Sequence, residues 1–105
     1  MTRIETLEVP TPPGVRAVFT TRLGGVSEPP FAALNLGMST GDDPARVGSN
    51  RAALAARLSI EPSRVVMTNQ VHGTTVHAVD GPDDPSRFVA ARAGWGAGDG
   101  LMTTR

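Results

Sequence analysis

The stretch DDPARVGSNRAALAARL, residues 42–58, decides how the rest of the chain is read. Asp43 is a good helix N-cap, and Pro44 suits the first helical position, where its missing N–H costs nothing. Val47, Arg51, Leu54 and Leu58 recur at helical spacing, and Ala52, Ala53, Ala55 and Ala56 favour helix by propensity. Pro62 cannot continue such a helix, so the spacing predicts an end near Leu58. The stripe of Val47, Leu54 and Leu58 predicts packing on a sheet.

Working outward, VRAVFTTR at 15–22 is β-branched and apolar and reads as a strand. RVVMT at 64–68 reads as a second strand. TTVHAVD at 74–80, after a break at Gly73, reads as a third, and LMTT at 101–104 as one that has only begun. Residues 1–14 form an extended, proline-rich lead-in. The long segment LGGVSEPPFAALNLGMSTGDD, 23–43, is punctuated by Gly24-Gly25 and Pro29-Pro30. Loops of that length are usually functional or disordered. GPDDPS at 81–86 is a turn or loop, and RFVAARAGWGAGDG at 87–100 is open between short helix and loop.

Composition narrows the function. A chain of 105 residues is one domain with a thin core. Ten Lys and Arg balance ten Asp and Glu, so no basic footprint points to nucleic acid. No cysteine is present, which excludes disulfides and any thiolate zinc site made by this chain alone. MTRIETLEVP has no apolar core of a secretory signal, and no apolar run approaches the ~18 residues of a membrane helix. The reading is a soluble cytoplasmic protein without membrane contact.

Both histidines lie in MTNQVHGTTVHAVD, 67–80. His72 could be a metal ligand or a general base. His77 lies five residues on, which matches no standard ligand pair, and on an extended strand the two would face opposite sides. They are therefore not expected to bind one metal together, and a plain structural role is the commoner reading of each. Gly24-Gly25 with Arg22 could cradle a phosphate, but the segment is neither a Walker A loop nor a dinucleotide fingerprint, and a simple turn is the commoner reading. Asp42 and Asp43 read as a helix-end charge and a cap rather than as a metal-binding pair. No nucleophile elbow is visible.

The motifs FTTRLGGVSEPPFAALNLG, GDDPARVGSNRAALAARL, NQVHG and GDGLMTT, in that order and spacing, resemble the YfiH-type laccase-domain family, also called multicopper polyphenol oxidoreductases. One bacterial branch carries the name peptidoglycan editing factor. The resemblance runs from about Val15 to Thr104 and defines the domain portion as 15–105. It implies a single-domain α/β sandwich built around mixed sheets, of which this chain is the N-terminal half. It also implies phosphorolysis of purine nucleosides (adenosine, inosine, methylthioadenosine) with phosphate, and deamination of adenosine. The older family name implies copper chemistry on phenols. The expected zinc site takes a His from a QVHG motif, a Cys from ADC and a His from HAGWRG. Only the first maps here, onto His72. AGWG at 93–96 lies too early for the last motif and lacks its His and Arg. Arg22, Asn35 and Gln70 are carried over as site-lining positions on motif match. With two of three ligands missing, the chain alone is expected to be inactive, and its half-covered sheets to drive self-association. A non-enzymatic binding module or remnant is the reading from another class.

Overall fold

The computed structural model describes residues 3–82, 84, 88, 89 and 96–104. The first strand is unforeseen: β1 (Thr6–Val9) pairs antiparallel with β2 (Ala17–Thr20), Thr6 opposite Thr20 and Val9 opposite Ala17. The lead-in is thus half of a hairpin. Its closure is legible in retrospect. The Val15 N–H donates to the Pro12 carbonyl at 3.3 Å, and Gly14 between them has φ +84°. Pro13 followed by a glycine with positive φ is the type II arrangement. Arg16 pairs with Glu8 across the ladder.

Helix α1 (Pro44–Arg57) is where its sequence places it. The Asp43 carboxylate accepts from the Ala45 N–H at 2.9 Å, and Leu58 is the C-cap. What α1 buries differs from the expected stripe. Val47 is 1% exposed, but Leu54 and Leu58 are only half-buried, and the buried face is Val47, Gly48, Asn50, Arg51 and Ala55. The reason is what lies opposite. Among the described residues, α1 packs on the loop of residues 24–36 and on Phe88–Val89, not on a sheet. A loop presents backbone N–H and C=O groups that need partners, and leucines cannot supply them. Gly48 sits where the Val89 carbonyl oxygen would meet any Cβ, which accounts for a glycine inside a helix. Among the described residues the buried apolar side chains are Leu34, Val47, Ala55 and Phe88, so this core lies between α1, the early loop and the helical residues Phe88 and Val89.

The segment 64–68 is not a strand. A short 3₁₀ turn (Pro62–Arg64) leads into extended backbone at Val65 that joins no ladder among the described residues. β-branched residues suit a pleated, half-buried surface, but they need a neighbouring strand to make one. β3 (Val76–Ala78) runs parallel to β4 (Gly100–Met102), Val76 opposite Gly100 and Ala78 opposite Met102. A parallel bridge between Asn69 and Ala97 extends this pairing upstream. The α/β class holds, with one antiparallel and one parallel pair among the described residues. Half of GPDDPS and half of the segment from Arg87 to Gly100 fall outside the described residues, and Phe88 and Val89 of the latter are helical. AGWG, apart from its final glycine, also lies outside the described residues.

Candidate functional site

The structure gathers the singled-out residues into two groups. The first is the early loop, organised by Asn50 of α1. Asn50 is 1% exposed. Its Oδ1 accepts from the Val26 N–H at 2.7 Å, and its Nδ2 donates to Ser27 Oγ at 2.9 Å and to the Asn35 carbonyl at 2.8 Å. Ser27 Oγ donates onward to Asp42 Oδ2 at 2.6 Å, which also accepts from Asn35 Nδ2 at 3.2 Å. Ser27, then Asn35 and the Asp43 N–H, hold the Asp42 carboxyl below its ordinary range, against an opposing push from burial. Asp42 therefore ties the loop to the start of α1, beyond favouring the helix end. At the next position of α1, Arg51 donates to the Leu36 carbonyl at 2.9 Å and the Phe88 carbonyl at 3.1 Å, with its guanidinium 5.4 Å from the Phe88 ring centre. Burial pulls its pKa down, and the two carbonyls make burial of the cation tolerable.

Asn35 is engaged at both ends of its amide: Nδ2 donates to Thr40 Oγ1 and Asp42, and Oδ1 accepts from the Gly37 N–H. Arg22 is exposed and in no ion pair among the described residues, while its carbonyl accepts the N–H groups of Ala33 and Leu34, each at 2.9 Å. Gly24-Gly25 is a crossing point rather than an open turn. A Cβ on Gly24 would meet the backbone of Arg3 and Ile4. One on Gly25 would meet the Ala33 carbonyl oxygen and Asn50 Oδ1. These positions are filled by protein, so they offer no hollow for an anion.

The second group is the turn carrying Gln70 and His72, both exposed. His72 has φ +59°, in the left-handed region, so no single extended strand runs from it to His77. Asp99, between Gly98 and Gly100, closes the turn. Its Oδ1 accepts from the Val71 N–H at 3.2 Å and the Gly73 N–H at 2.9 Å, and its Oδ2 from the His72 N–H at 2.8 Å. Gly73 above all, then Val71 and His72, hold the Asp99 carboxyl below the ordinary range, with burial acting the other way. The His72 imidazole has no hydrogen-bond partner among the described residues. His77 has a structural place: its Nε2 lies 2.8 Å from the Ala97 carbonyl, and its ring covers Gly98, where a Cβ would fall 2.7 Å from Cδ2.

Among the described residues, no hydrogen bond or ion pair joins the early-loop group to the His72 turn, and no three His, Cys, Asp or Glu side chains form a metal-binding group. Sequence reasoning passed over Asn50 and Asp99. A polar residue at 50, three positions after Val47 on the inward face, was the available signal for the first. Asp99 had only its flanking glycines.

A family model described as multi-copper polyphenol oxidoreductase laccase matches residues 16–105. A purine nucleoside phosphorylase of Mycobacterium tuberculosis is 52% identical over 82 residues, covering 73% of this chain and 33% of that protein. One from Pseudomonas aeruginosa is 47% identical over 95 residues, covering 90% of this chain and 36% of that protein. The crystal structure of hypothetical protein YfiH from Bacillus licheniformis superposes with a TM-score of 0.74 at 36% identity, over 86% of this chain and 34% of that one. YlmD from Geobacillus stearothermophilus gives 0.64 at 36% identity, over 82% and 32%. The chain spans about a third of the length of these relatives.

Proposed function

Because the chain belongs to the multi-copper polyphenol oxidoreductase laccase family, we propose that it is the N-terminal part of a purine nucleoside phosphorylase. Its substrates would be a purine nucleoside (adenosine, inosine or methylthioadenosine) and phosphate, with adenosine deamination as a companion activity. What carries the reading is the run of relatives described as purine nucleoside phosphorylases, one of them matching over 90% of this chain. In phosphorolysis a phosphate oxygen bonds to the sugar C1′ while the C1′–N bond breaks, and the base leaves with the electron pair and takes up a proton.

The chain's own residues can serve three parts of this. Arg22, exposed and outside any ion pair among the described residues, suits pairing with phosphate. Gln70 and His72 lie exposed on one turn, where they can line a nucleoside and, for the imidazole, move a proton. Asn35, with both ends of its amide occupied, acts by holding the early loop. The family description implies a metal. Zinc is our expected ion and copper the other candidate. A catalytic zinc takes three protein ligands. The donors described here supply His72 without two others, so these residues by themselves do not fit either ion, and no step is routed through one.

The test uses the protein as its cells make it. Inosine and phosphate should yield free base and ribose 1-phosphate, and Arg22→Ala should raise the KM for phosphate. An unchanged KM would sink the role of Arg22, and absence of phosphorolysis would sink the reading. The family description favours one second reading, a copper-dependent oxidoreductase acting on phenols. Oxidised phenol as product, with nucleosides untouched, would select it. A protein that binds nucleosides or cell-wall precursors without turning them over would instead be a binding module, in line with the peptidoglycan-editing name.

A further inference from the structure

We propose that Asp99 is the positioning residue of the His72 turn, setting the backbone from which the His72 imidazole reaches substrate. The part concerning substrate rests on the phosphorylase reading above. The part concerning the turn does not.

Three consecutive backbone N–H groups, of Val71, His72 and Gly73, converge on one carboxylate from 26 to 28 residues further along the chain. Successive N–H groups that bend around an anion form a nest, and here the anion is the protein's own. His72 stands at φ +59° in the middle of it. A residue with a Cβ disfavours that region and persists there only when its surroundings hold it. The held residue is the one carrying the exposed imidazole. The aim of that ring follows from the backbone, since the ring itself has no anchor among the described residues.

The clamp is itself fixed. The Asp99 N–H donates to the Thr75 carbonyl at 3.0 Å and the Gly98 N–H to the Asn69 carbonyl at 3.0 Å. Gly98 lies under the His77 ring, and Gly100 faces the Val76 side chain, where a Cβ would come within 3.1 Å of Cγ2. Asp99 therefore leaves the chain between two positions that admit only glycine without a shift. The feature adds a function to GDG: the residue just before β4 supplies the carboxylate that shapes the turn preceding β3.

The experiment compares Asp99→Ala, Asp99→Asn, His72→Ala and the Asp99→Ala/His72→Ala pair in the protein as its cells make it. Two readouts are taken: amide hydrogen exchange at residues 71–73, and kcat with KM for inosine phosphorolysis. Losing hydrogen bonds to a charged acceptor should speed exchange at the three amides by about tenfold or more, with the β1–β2 amides unchanged. Asp99→Asn keeps one carbonyl oxygen and should fall between wild type and Asp99→Ala. It also serves if the alanine variant does not fold. kcat should fall in Asp99→Ala, and that substitution should add nothing once His72 is already alanine. Unchanged exchange at 71–73 would overturn the clamp. An equal loss of kcat with and without His72 would overturn its action through that residue. A wild type with no phosphorolysis would count against the phosphorylase reading alone, and the exchange data would still judge Asp99.

Discussion

Replacing Asn50 by alanine tests whether a buried polar side chain, rather than an apolar stripe, holds α1 to the protein. Asn50 is 1% exposed and makes three hydrogen bonds to the loop: from Val26, to Ser27 and to Asn35. Each is worth about 1 kcal/mol net, so their loss removes about 3 kcal/mol. Alanine is the better helix former and returns roughly 0.5 kcal/mol at this interior position. The expected net loss is about 2.5 kcal/mol, close to two decades in the folding equilibrium. Guanidinium unfolding at low protein concentration, followed by the circular dichroism of α1, measures it as a fall in midpoint at constant slope. Ser49→Ala is the control, since Ser49 is exposed on the same helix, and should change stability by no more than about 0.5 kcal/mol. If both variants unfolded at the same midpoint, the loop would be held by something other than Asn50.

Three further outcomes follow from the same geometry. Gly48→Ala should destabilise by about 1–3 kcal/mol through overpacking against the Val89 carbonyl, in spite of the roughly 1 kcal/mol that alanine gains in a helix; a raised midpoint would contradict that contact. The lowered pKa of Asp99 makes the turn acid-sensitive: its contribution is complete above the ordinary aspartate value of 3.8 and is lost as pH falls through the lower folded value. The Val71 and Gly73 amide shifts should therefore titrate with a midpoint below 3.8, and a midpoint at or above it would refute the clamp. Leu7 and Phe19 face each other across the hairpin at 54% and 67% exposure, so the 105-residue chain alone should self-associate on sedimentation, and less so as Leu7→Thr/Phe19→Thr. A clean monomer with a sharp two-state melt would count against it.

What was legible depended on how far apart the partners lie. α1 announced itself through Asp43, Pro44 and its alanines, because capping and propensity act within a few residues. β2, β3 and β4 showed in their β-branched runs, although each is shorter in the structure than its run. β1 was hidden among prolines, and Val65 to Thr68 looked like a strand, because neither segment carries any sign of whether another strand lies beside it. Asn50 and Arg51 broke the apolar stripe in plain view, but four of their hydrogen bonds are to backbone groups, which any residue type could supply. Asp99 was the least legible. It recognises three N–H groups, and those leave no residue signature at the other end. Arg22, Asn35, Gln70 and His72 came from motif resemblance. The bonding of Asn35 and the geometry around His72 came only with the structure.

The Asp99 clamp also bears on the order in which the molecule assembles. α1 needs only its own 14 residues and a cap one position away, so it can form as soon as that segment is free. The His72 turn waits for a carboxylate 27 residues downstream, which leaves a ribosome after the turn itself has done so. Closing a loop of this span is entropically costly before its contacts reward it. Helix before turn is the order this connectivity dictates, so the backbone at His72 reaches its left-handed conformation only after the scaffold around α1 is in place.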